Sequence, residues 1–216
     1  MRGPLLVYLN TKYAGLYVKY EKFGGSSFRS REISDAFDVL EKAMILNRAY
    51  PAASKQFPIM HNLKKSPKII YLDVGLINYK LGLRSEILKI DDLNSVYHGQ
   101  ISEQIVGQTL LTLNPRVSTR LACWYREKKG STAEIDYLIG LKGRIFPLEV
   151  KSGASGKLKS IHVFMEEGGG GIALRVYSGN LSVDVLYTPK RKKFILLSIP
   201  FYLLHRIEGL LEGLLD

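Results

Sequence analysis

Alternation of apolar and polar residues marks residues 133–139 and 145–151 as two β-strands. Both stretches are rich in β-branched and aromatic side chains, and Leu141–Arg144 between them is typical of a short loop. The pattern therefore predicts a β-hairpin, and the position of the loop sets the pairing of its strands.

The predicted pairing brings charged side chains together. A loop at 141–144 places Gly140 opposite Ile145 and, further along the ladder, Asp136 opposite Glu149. Directly opposed side chains share a face with their Cβ atoms roughly 5 Å apart, and Lys151 is on that face because strand side chains alternate. Two opposed carboxylates destabilise a sheet unless they are neutralised, so we expect a divalent cation here.

Both faces of the hairpin carry apolar residues, which favours a pocket over an open surface. We expect six residues to pack on one face: Ile135, Tyr137, Ile139, Phe146, Leu148 and Val150. The charged face also carries Leu138, Ile145 and Pro147. The alternative interpretation is an exposed face on which the charges form cross-strand salt bridges.

The rest of the pattern predicts a mixture of helices and strands. Helices are expected at 30–46, 74–81, 97–113, 161–167 and 200–215, and strands at 69–73, 121–126, 172–177, 183–187 and 194–197. This order predicts an α/β (α+β) fold with a mixed sheet flanked by helices. The first helix is followed by a turn-rich connector at 48–58 that has room for a short strand, and by basic residues. This succession indicates a small winged-helix-like unit at the N-terminal end.

The charge balance indicates an anionic partner. The 216 residues carry a formal net charge of +11, and basic residues cluster within 64–68, 126–129, 151–159 and 190–193. Such a surface is typical of nucleic-acid binding. Cys123 is the single cysteine, and neither a signal peptide nor a membrane-spanning stretch is recognisable, so we expect a cytoplasmic protein with no membrane partner.

Three segments together resemble the PD-(D/E)xK restriction-endonuclease-like fold: Gly99-x-x-x-Glu103-x-x-Val106, Ala133–Ile139 and Pro147–Gly153. More narrowly, the chain resembles the uncharacterised C-terminal domain attached to a family of prokaryotic AAA+-type ATPases, on Pro67–Leu76 and Trp124–Arg126. The resemblance implies a winged-helix-like connector at 1–60 and a nuclease-like domain at 61–216.

A magnesium-dependent nuclease requires hard oxygen ligands and a group that orients water or phosphate. Asp136 and Glu149 supply carboxylates, and the carbonyl of Val150 is a third candidate ligand. Glu103 of the preceding helix is a further ligand or a base acting through water, and Lys151 is expected to hold the water or the scissile phosphate. The implied cofactor is Mg²⁺ or Mn²⁺, and the implied reaction is hydrolysis of DNA phosphodiesters.

Relatives of this type usually carry an ATPase, and none is recognised in the 216 residues. Gly153–Leu158 lacks the phosphate-loop pattern, because its glycines are too close together and Leu158 replaces the required Ser or Thr, so no ATP site is expected. Two further hypotheses stay open: a non-catalytic module that binds DNA or protein, and an interaction domain for an ATPase encoded elsewhere. A homo-oligomer is compatible with the sequence, which leaves the oligomeric state open.

Overall fold

A computed structural model describes residues 17–75, 98–114, 120–128, 131–153 and 157–215. Within these ranges, only the backbone is described for His98, Glu127, Lys128, Ser131 and Thr132. No helix of the described ranges combines the length and the apolar character that crossing a membrane requires.

The described residues form four α-helices and eight strands. The helices are α1 (Ser30–Lys42), α2 (His98–Leu113), α3 (Lys159–Glu166) and α4 (Ile207–Leu215). The strands are β1 (Leu46–Pro51), β2 (Lys68–Tyr71), β3 (Ala122–Lys128), β4 (Ser131–Leu141), β5 (Arg144–Val150), β6 (Ile172–Tyr177), β7 (Ser182–Tyr187) and β8 (Lys193–Pro200). A 3-10 segment, Phe201–Arg206, leads into α4.

The strands form one mixed sheet in the order β2-β1-β3-β4-β5-β6-β8-β7. β1 runs parallel to β3, and β6 runs parallel to both β5 and β8, whereas the other neighbouring pairs are antiparallel. The predicted α/β (α+β) fold with a mixed sheet is therefore confirmed.

Side-chain alternation along β6 separates two apolar cores on the two faces of the sheet. Leu174 packs in one core with Val106 of α2 and Leu211 of α4. The adjacent Ala173 packs in the other core with Phe164 of α3. Helices thus cover both faces, as the apolar residues on both faces of the hairpin predicted.

The sheet runs across residue 60, where the sequence predicts a boundary between two units. β1 lies before that position and pairs with β2 and β3, which lie after it. Helix α1 packs Phe37 against Ile69 and Tyr71 of β2 in a third core. The division into 1–60 and 61–216, and the winged-helix-like character of the first part, stay predictions.

Most predicted elements lie where the pattern placed them, with differences at their ends. The first helix ends at Lys42 rather than 46, and Met44, with a φ of 56°, lies in the turn before β1. Most of the helix expected at 74–81 lies outside the described residues, and so do residues 154–156 of the Gly153–Leu158 segment.

Candidate functional site

The hairpin has the predicted register. Gly140 pairs with Ile145, and the continuation of the same ladder brings Asp136 and Glu149 to neighbouring positions. Regular pairing ends just before these two residues, so the charged pair lies where the strands stop exchanging backbone hydrogen bonds.

The turn of the hairpin is shorter than the predicted loop. Leu141 still pairs with Arg144, which leaves Lys142 and Gly143 as the two turn residues. Their φ angles are 45° and 73°. Two positive φ values match the twist of hairpin strands, and glycine adopts this conformation without steric cost.

A β-bulge in β4 lies at the candidate site. Ala122 of β3 pairs with Leu138 and Trp124 pairs with Ile135, so β4 has one more residue than β3 between the two pairs. Ile135 and Leu138 therefore pack in the same core, whereas Tyr137 packs in the other. The prediction that Ile135 shares a face with Tyr137 is wrong, because the extra residue interrupts the alternation.

The structure places Asp136, Glu149 and Lys151 together. Asp136 and Glu149 are each 7% exposed. The N–H of Val150 donates a hydrogen bond to Asp136 Oδ2 at 2.8 Å, and Lys151 Nζ donates to Glu149 Oε1 at 2.7 Å. Glu149 Oε2 is buried and has no hydrogen-bond partner in the described part of the chain.

The proximity of the two carboxylates alters the acidity of Glu149. Burial, followed by repulsion from Asp136, raises the pKa of Glu149 to about 7, although Lys151 opposes the shift. A carboxyl group with such a pKa exchanges its proton near neutral pH, which is common at functional sites.

Gln104 fixes helix α2 against the edge strand β2. Its Nε2 donates to the carbonyl of Ile69 and its Oε1 accepts from the N–H of Tyr71, each at 2.8 Å. The side chain thus replaces a neighbouring strand on the open edge of β2. Because Glu103 precedes Gln104, this pair of bonds also fixes the position of Glu103.

Gly107 allows α2 to approach the sheet closely. A Cβ atom at this position would lie 2.5 Å from the hydroxyl oxygen of Tyr137 and 3.0 Å from Cγ2 of Ile70. The same Tyr137 hydroxyl donates to the carbonyl of Glu103 at 2.8 Å. The contact between α2 and β4 therefore depends on the absence of a side chain at Gly107.

Lys68 lies among the carboxylates, although the sequence predicted it as part of a surface cluster at 64–68. That prediction is wrong for Lys68, whose side chain is 1% exposed. Its Nζ lies 3.3 Å from Glu103 Oε2 and 3.4 Å from Asp136 Oδ1, and it forms a third ion pair with Glu134. Burial alone would lower the pKa of Lys68, but the carboxylates, Asp136 foremost, raise it well above its usual value.

One feature of the sequence could have identified Lys68. Lys68 directly precedes the segment 69–73, which is predicted as a buried strand, and alternation places it on the same face as Ile70. A lysine is rarely buried without a charged partner. Its partners Glu103 and Asp136 are 35 and 68 residues away along the chain, so the pattern could indicate that partners exist but could not name them.

Tyr17 lies beside this cluster without adding charge to it. Its ring centroid is 5.4 Å from Lys68 Nζ, and its hydroxyl donates to Cys123 Sγ at 3.6 Å. Burial raises the pKa of Tyr17 and also raises the pKa of Cys123 to about 11. Both groups are therefore neutral at physiological pH.

We define the Lys68 cluster as the six charged side chains Lys68, Glu103, Glu134, Asp136, Glu149 and Lys151. These four carboxylates and two ammonium groups sum to two negative charges when all are ionised. Burial, and then repulsion from Asp136, raise the pKa of Glu103 to about 8. Excess negative charge of this kind favours the binding of a cation.

The donor atoms of the Lys68 cluster are of the chemical type that a hard divalent cation binds, because they are carboxylate oxygens, and one of them, Glu149 Oε2, is buried without a partner among the described residues. The other carboxylates surround Lys68 instead. In the ranges that the structure covers, no group of three or more His, Cys, Asp or Glu side chains is arranged to hold a metal. The backbone of Val150 contacts Asp136 through its N–H, and a role for its carbonyl stays a prediction.

Two family models match the chain, and neither spans half of the 216 residues. Residues 98–196 match Domain of unknown function (DUF4143), and residues 10–87 match Domain of unknown function (DUF8612). The predicted site residues fall in the first segment, whereas Lys68 falls in the second. Curated proteins and solved structures give no match. The expectation of an uncharacterised domain is confirmed, and its nuclease character stays a prediction.

Proposed function

We propose that this chain is a cytoplasmic nucleic-acid-binding protein with a metal-dependent PD-(D/E)xK nuclease-like core that hydrolyses DNA phosphodiesters. The observation that carries the proposal is the convergence of Asp136, Glu149 and Lys151 at the end of the hairpin ladder, with Glu149 Oε2 buried and unpaired among the described residues. The resemblance to restriction-endonuclease-like domains and the net charge of +11 support it.

Asp136 and Glu149 would hold the Mg²⁺ or Mn²⁺ ion, and Glu103 is the candidate third ligand. A bound ion of this kind supplies Lewis-acid polarisation of a phosphoryl oxygen. Lys151 keeps a positive charge beside Glu149, where it can orient water or a phosphate oxygen. The hydrogen bond from Val150 holds the Asp136 carboxylate in place.

The alternative function is a non-catalytic DNA-binding or protein-interaction module of an AAA+-type ATPase system. One observation favours it: Lys68 already neutralises part of the charge on Glu103, Glu134 and Asp136, so the fold tolerates these carboxylates without a metal. A structural ion cluster of this kind needs no substrate.

A cleavage assay on plasmid and branched DNA, with Mg²⁺ or Mn²⁺ and the full chain, tests the proposal. We expect Asp136→Asn to lower cleavage by a factor on the order of 100 or more, because it removes a ligand charge but keeps an oxygen that accepts from Val150. DNA affinity should be unchanged, and it should fall steeply with salt in both proteins because phosphate contacts release counterions.

Asp184→Asn is the matched control, since Asp184 is an exposed residue of β7 that contacts Ser182. This variant should cleave like the unmodified protein. Equal cleavage by the Asp136→Asn variant would exclude the proposed site. Salt-dependent DNA binding without any metal-dependent cleavage would favour the non-catalytic module, and absence of DNA binding at low salt would favour a protein partner.

A further inference from the structure

The Nζ atom of Lys68 faces oxygens from two separate elements of the fold. Glu103 comes from α2, and Glu134 and Asp136 come from β4. Lys68 itself comes from the segment that matches the second family model, so neither matched segment contains the whole cluster. The cation and its carboxylates meet only in the folded chain.

The backbone around Lys68 is held on several sides, which prevents the side chain from leaving easily. Ala49 of β1 pairs with Lys68, and Tyr17 forms a β-bridge to it. The two hydrogen bonds of Gln104 hold the next residues of β2. At 1% exposure the ammonium group is an interior charge, which solvent screens much less than a surface charge.

Lys68 and a divalent ion would compete for the same oxygens. Mg²⁺ binds carboxylate oxygens at about 2.1 Å, whereas Lys68 Nζ lies 3.4 Å from Asp136 Oδ1 and 3.3 Å from Glu103 Oε2. An ion bound to both oxygens would therefore lie within a few ångströms of the ammonium group, where two positive charges repel strongly. Glu149 Oε2 has no such competitor in the described ranges.

We propose that Lys68 is a resident cation that competes with the divalent metal for Asp136 and Glu103 and thereby sets the metal affinity of the site. This inference rests on the proposed function, because it concerns the same ion. In this role, Lys68 holds the carboxylates together before the metal binds. Its positive charge then lowers the affinity of the site for the metal. Lys68 is thus a positioning residue of the site, distinct from Lys151.

The test is Mn²⁺ binding to the full chain, measured by calorimetry and by electron paramagnetic resonance. We expect Lys68→Met, which keeps most of the length of the side chain but removes its charge, to tighten Mn²⁺ binding by a factor on the order of ten or more. Lys64→Met is the matched control, because Lys64 is exposed on the same segment and loses the same charge. Its Mn²⁺ affinity should stay within about twofold of the unmodified protein.

A second pair of variants covers the case in which Lys68→Met alone does not fold. The double variant Lys68→Met/Glu103→Gln removes one charge of each sign and so keeps the net charge of the cluster. It should bind Mn²⁺ more tightly than the Glu103→Gln variant, because it lacks the competing charge of Lys68. The two proteins differ only at this residue. Addition of Asp136→Asn should abolish the gain, which locates the ion.

Mn²⁺ affinity that is unchanged or weaker when Lys68 is replaced, in both pairs, would overturn the inference. Failure of the proposed function has a different signature. Tighter binding in Lys68→Met together with an absence of DNA cleavage would leave the resident cation standing and remove the nuclease proposal. Metal-dependent cleavage with the same Mn²⁺ affinity in all variants would remove only the resident cation.

Discussion

Two buried cations lie on neighbouring strands of the sheet, and each of them binds carboxylates. Arg48 of β1 is 3% exposed, and Lys68 of β2 is 1% exposed. They belong to the same antiparallel pair of strands, where Arg48 pairs with Ile69. Equal burial on adjacent strands makes the chemistry around each cation directly comparable.

Each side-chain nitrogen of Arg48 has a hydrogen-bond or ion-pair partner. Its Nε donates to Glu41 Oε2 at 3.1 Å, and its Nη1 donates to the hydroxyl of Tyr20 at 3.2 Å. Its Nη2 pairs with both Asp38 and Glu41. Arg120 lies 4.0 Å from Glu41, so two arginines face two carboxylates and the charges balance.

The Lys68 cluster is not balanced. Lys68 is a point charge with three carboxylate neighbours, and Lys151 pairs with a fourth, so negative charge is in excess when all four carboxyl groups are ionised. The planar guanidinium of Arg48 meets its partners in a fixed geometry, whereas an ammonium group fixes none. The comparison suggests a criterion: a buried ion cluster with balanced charge stabilises the fold, and one with excess charge is a candidate site for a ligand.

The largest effect on stability is expected from Arg48→Met. This change leaves Glu41 and Asp38 without their main partner, and breaking a buried ion pair costs about 3 kcal/mol of the free energy of unfolding. Urea denaturation measures the loss. Mn²⁺ should restore little of it, because the loss of Arg48 leaves a single negative charge in excess and Asp38 is 48% exposed to solvent, in contrast to the buried Asp136 and Glu149 of the Lys68 cluster.

Arg31→Met is the control for Arg48→Met, since Arg31 is an exposed residue of α1. Its stability should change by less than about 0.5 kcal/mol. If the Arg48→Met protein were as stable as this control, or if Mn²⁺ rescued it, the distinction between the two clusters would fail.

A smaller loss of stability is expected from Gly107→Ala. This change should displace α2 and so separate Glu103 from Lys68. The new methyl group would overlap the Tyr137 hydroxyl and contact Ile70, and overpacking of this kind costs about 2 kcal/mol. Thermal or urea unfolding measures the effect, and weaker Mn²⁺ binding should accompany it.

Gly209→Ala provides the comparison for Gly107→Ala, because a Cβ at Gly209 in α4 meets nothing within 4 Å. It should stabilise the protein by up to about 1 kcal/mol, as alanine is the better helix former. Equal responses at Gly107 and Gly209 would show that α2 does not approach the sheet as closely as described.

The smallest effect on the free energy of unfolding is expected from a change of pH. A chelator is present in this measurement to remove divalent metal ions. Burial raises the pKa of Glu103 to about 8 from its ordinary value of 4.5. The folded state thus binds a proton that the unfolded chain releases, and stability falls as pH rises from 4.5 through 8. The partial exposure of Glu103 limits this loss to the order of 1 kcal/mol.

Glu103→Gln should reduce this pH dependence, because glutamine does not titrate, whereas Glu149, whose pKa is about 7, still titrates in the same range. The comparison of urea denaturation between pH 5 and pH 9 in the two proteins isolates the contribution of Glu103. If the free energy of unfolding changed with pH by the same amount in both proteins, the excess charge would not lie at Glu103.

The hairpin shows how much of the site could be predicted. Alternation and loop position were sufficient to place Asp136 near Glu149, and the observed register agrees. The bulge at Asp136 could not be predicted in this way, because an extra residue in β4 is defined only by its pairing with β3. The face of Ile135 was therefore wrong although the register was right.

Local periodicity is sufficient for the α/β class, for the positions of most helices and strands, and for the convergence of Asp136, Glu149 and Lys151 on one hairpin. These features depend on residues close together along the chain. The entry of Lys68 among the carboxylates depends instead on where β2 and α2 pack against β4. Two of its acidic partners, Glu103 and Asp136, are 35 and 68 residues away along the chain. The sequence alone offers many possible basic and acidic pairs, so packing selects the pair that forms.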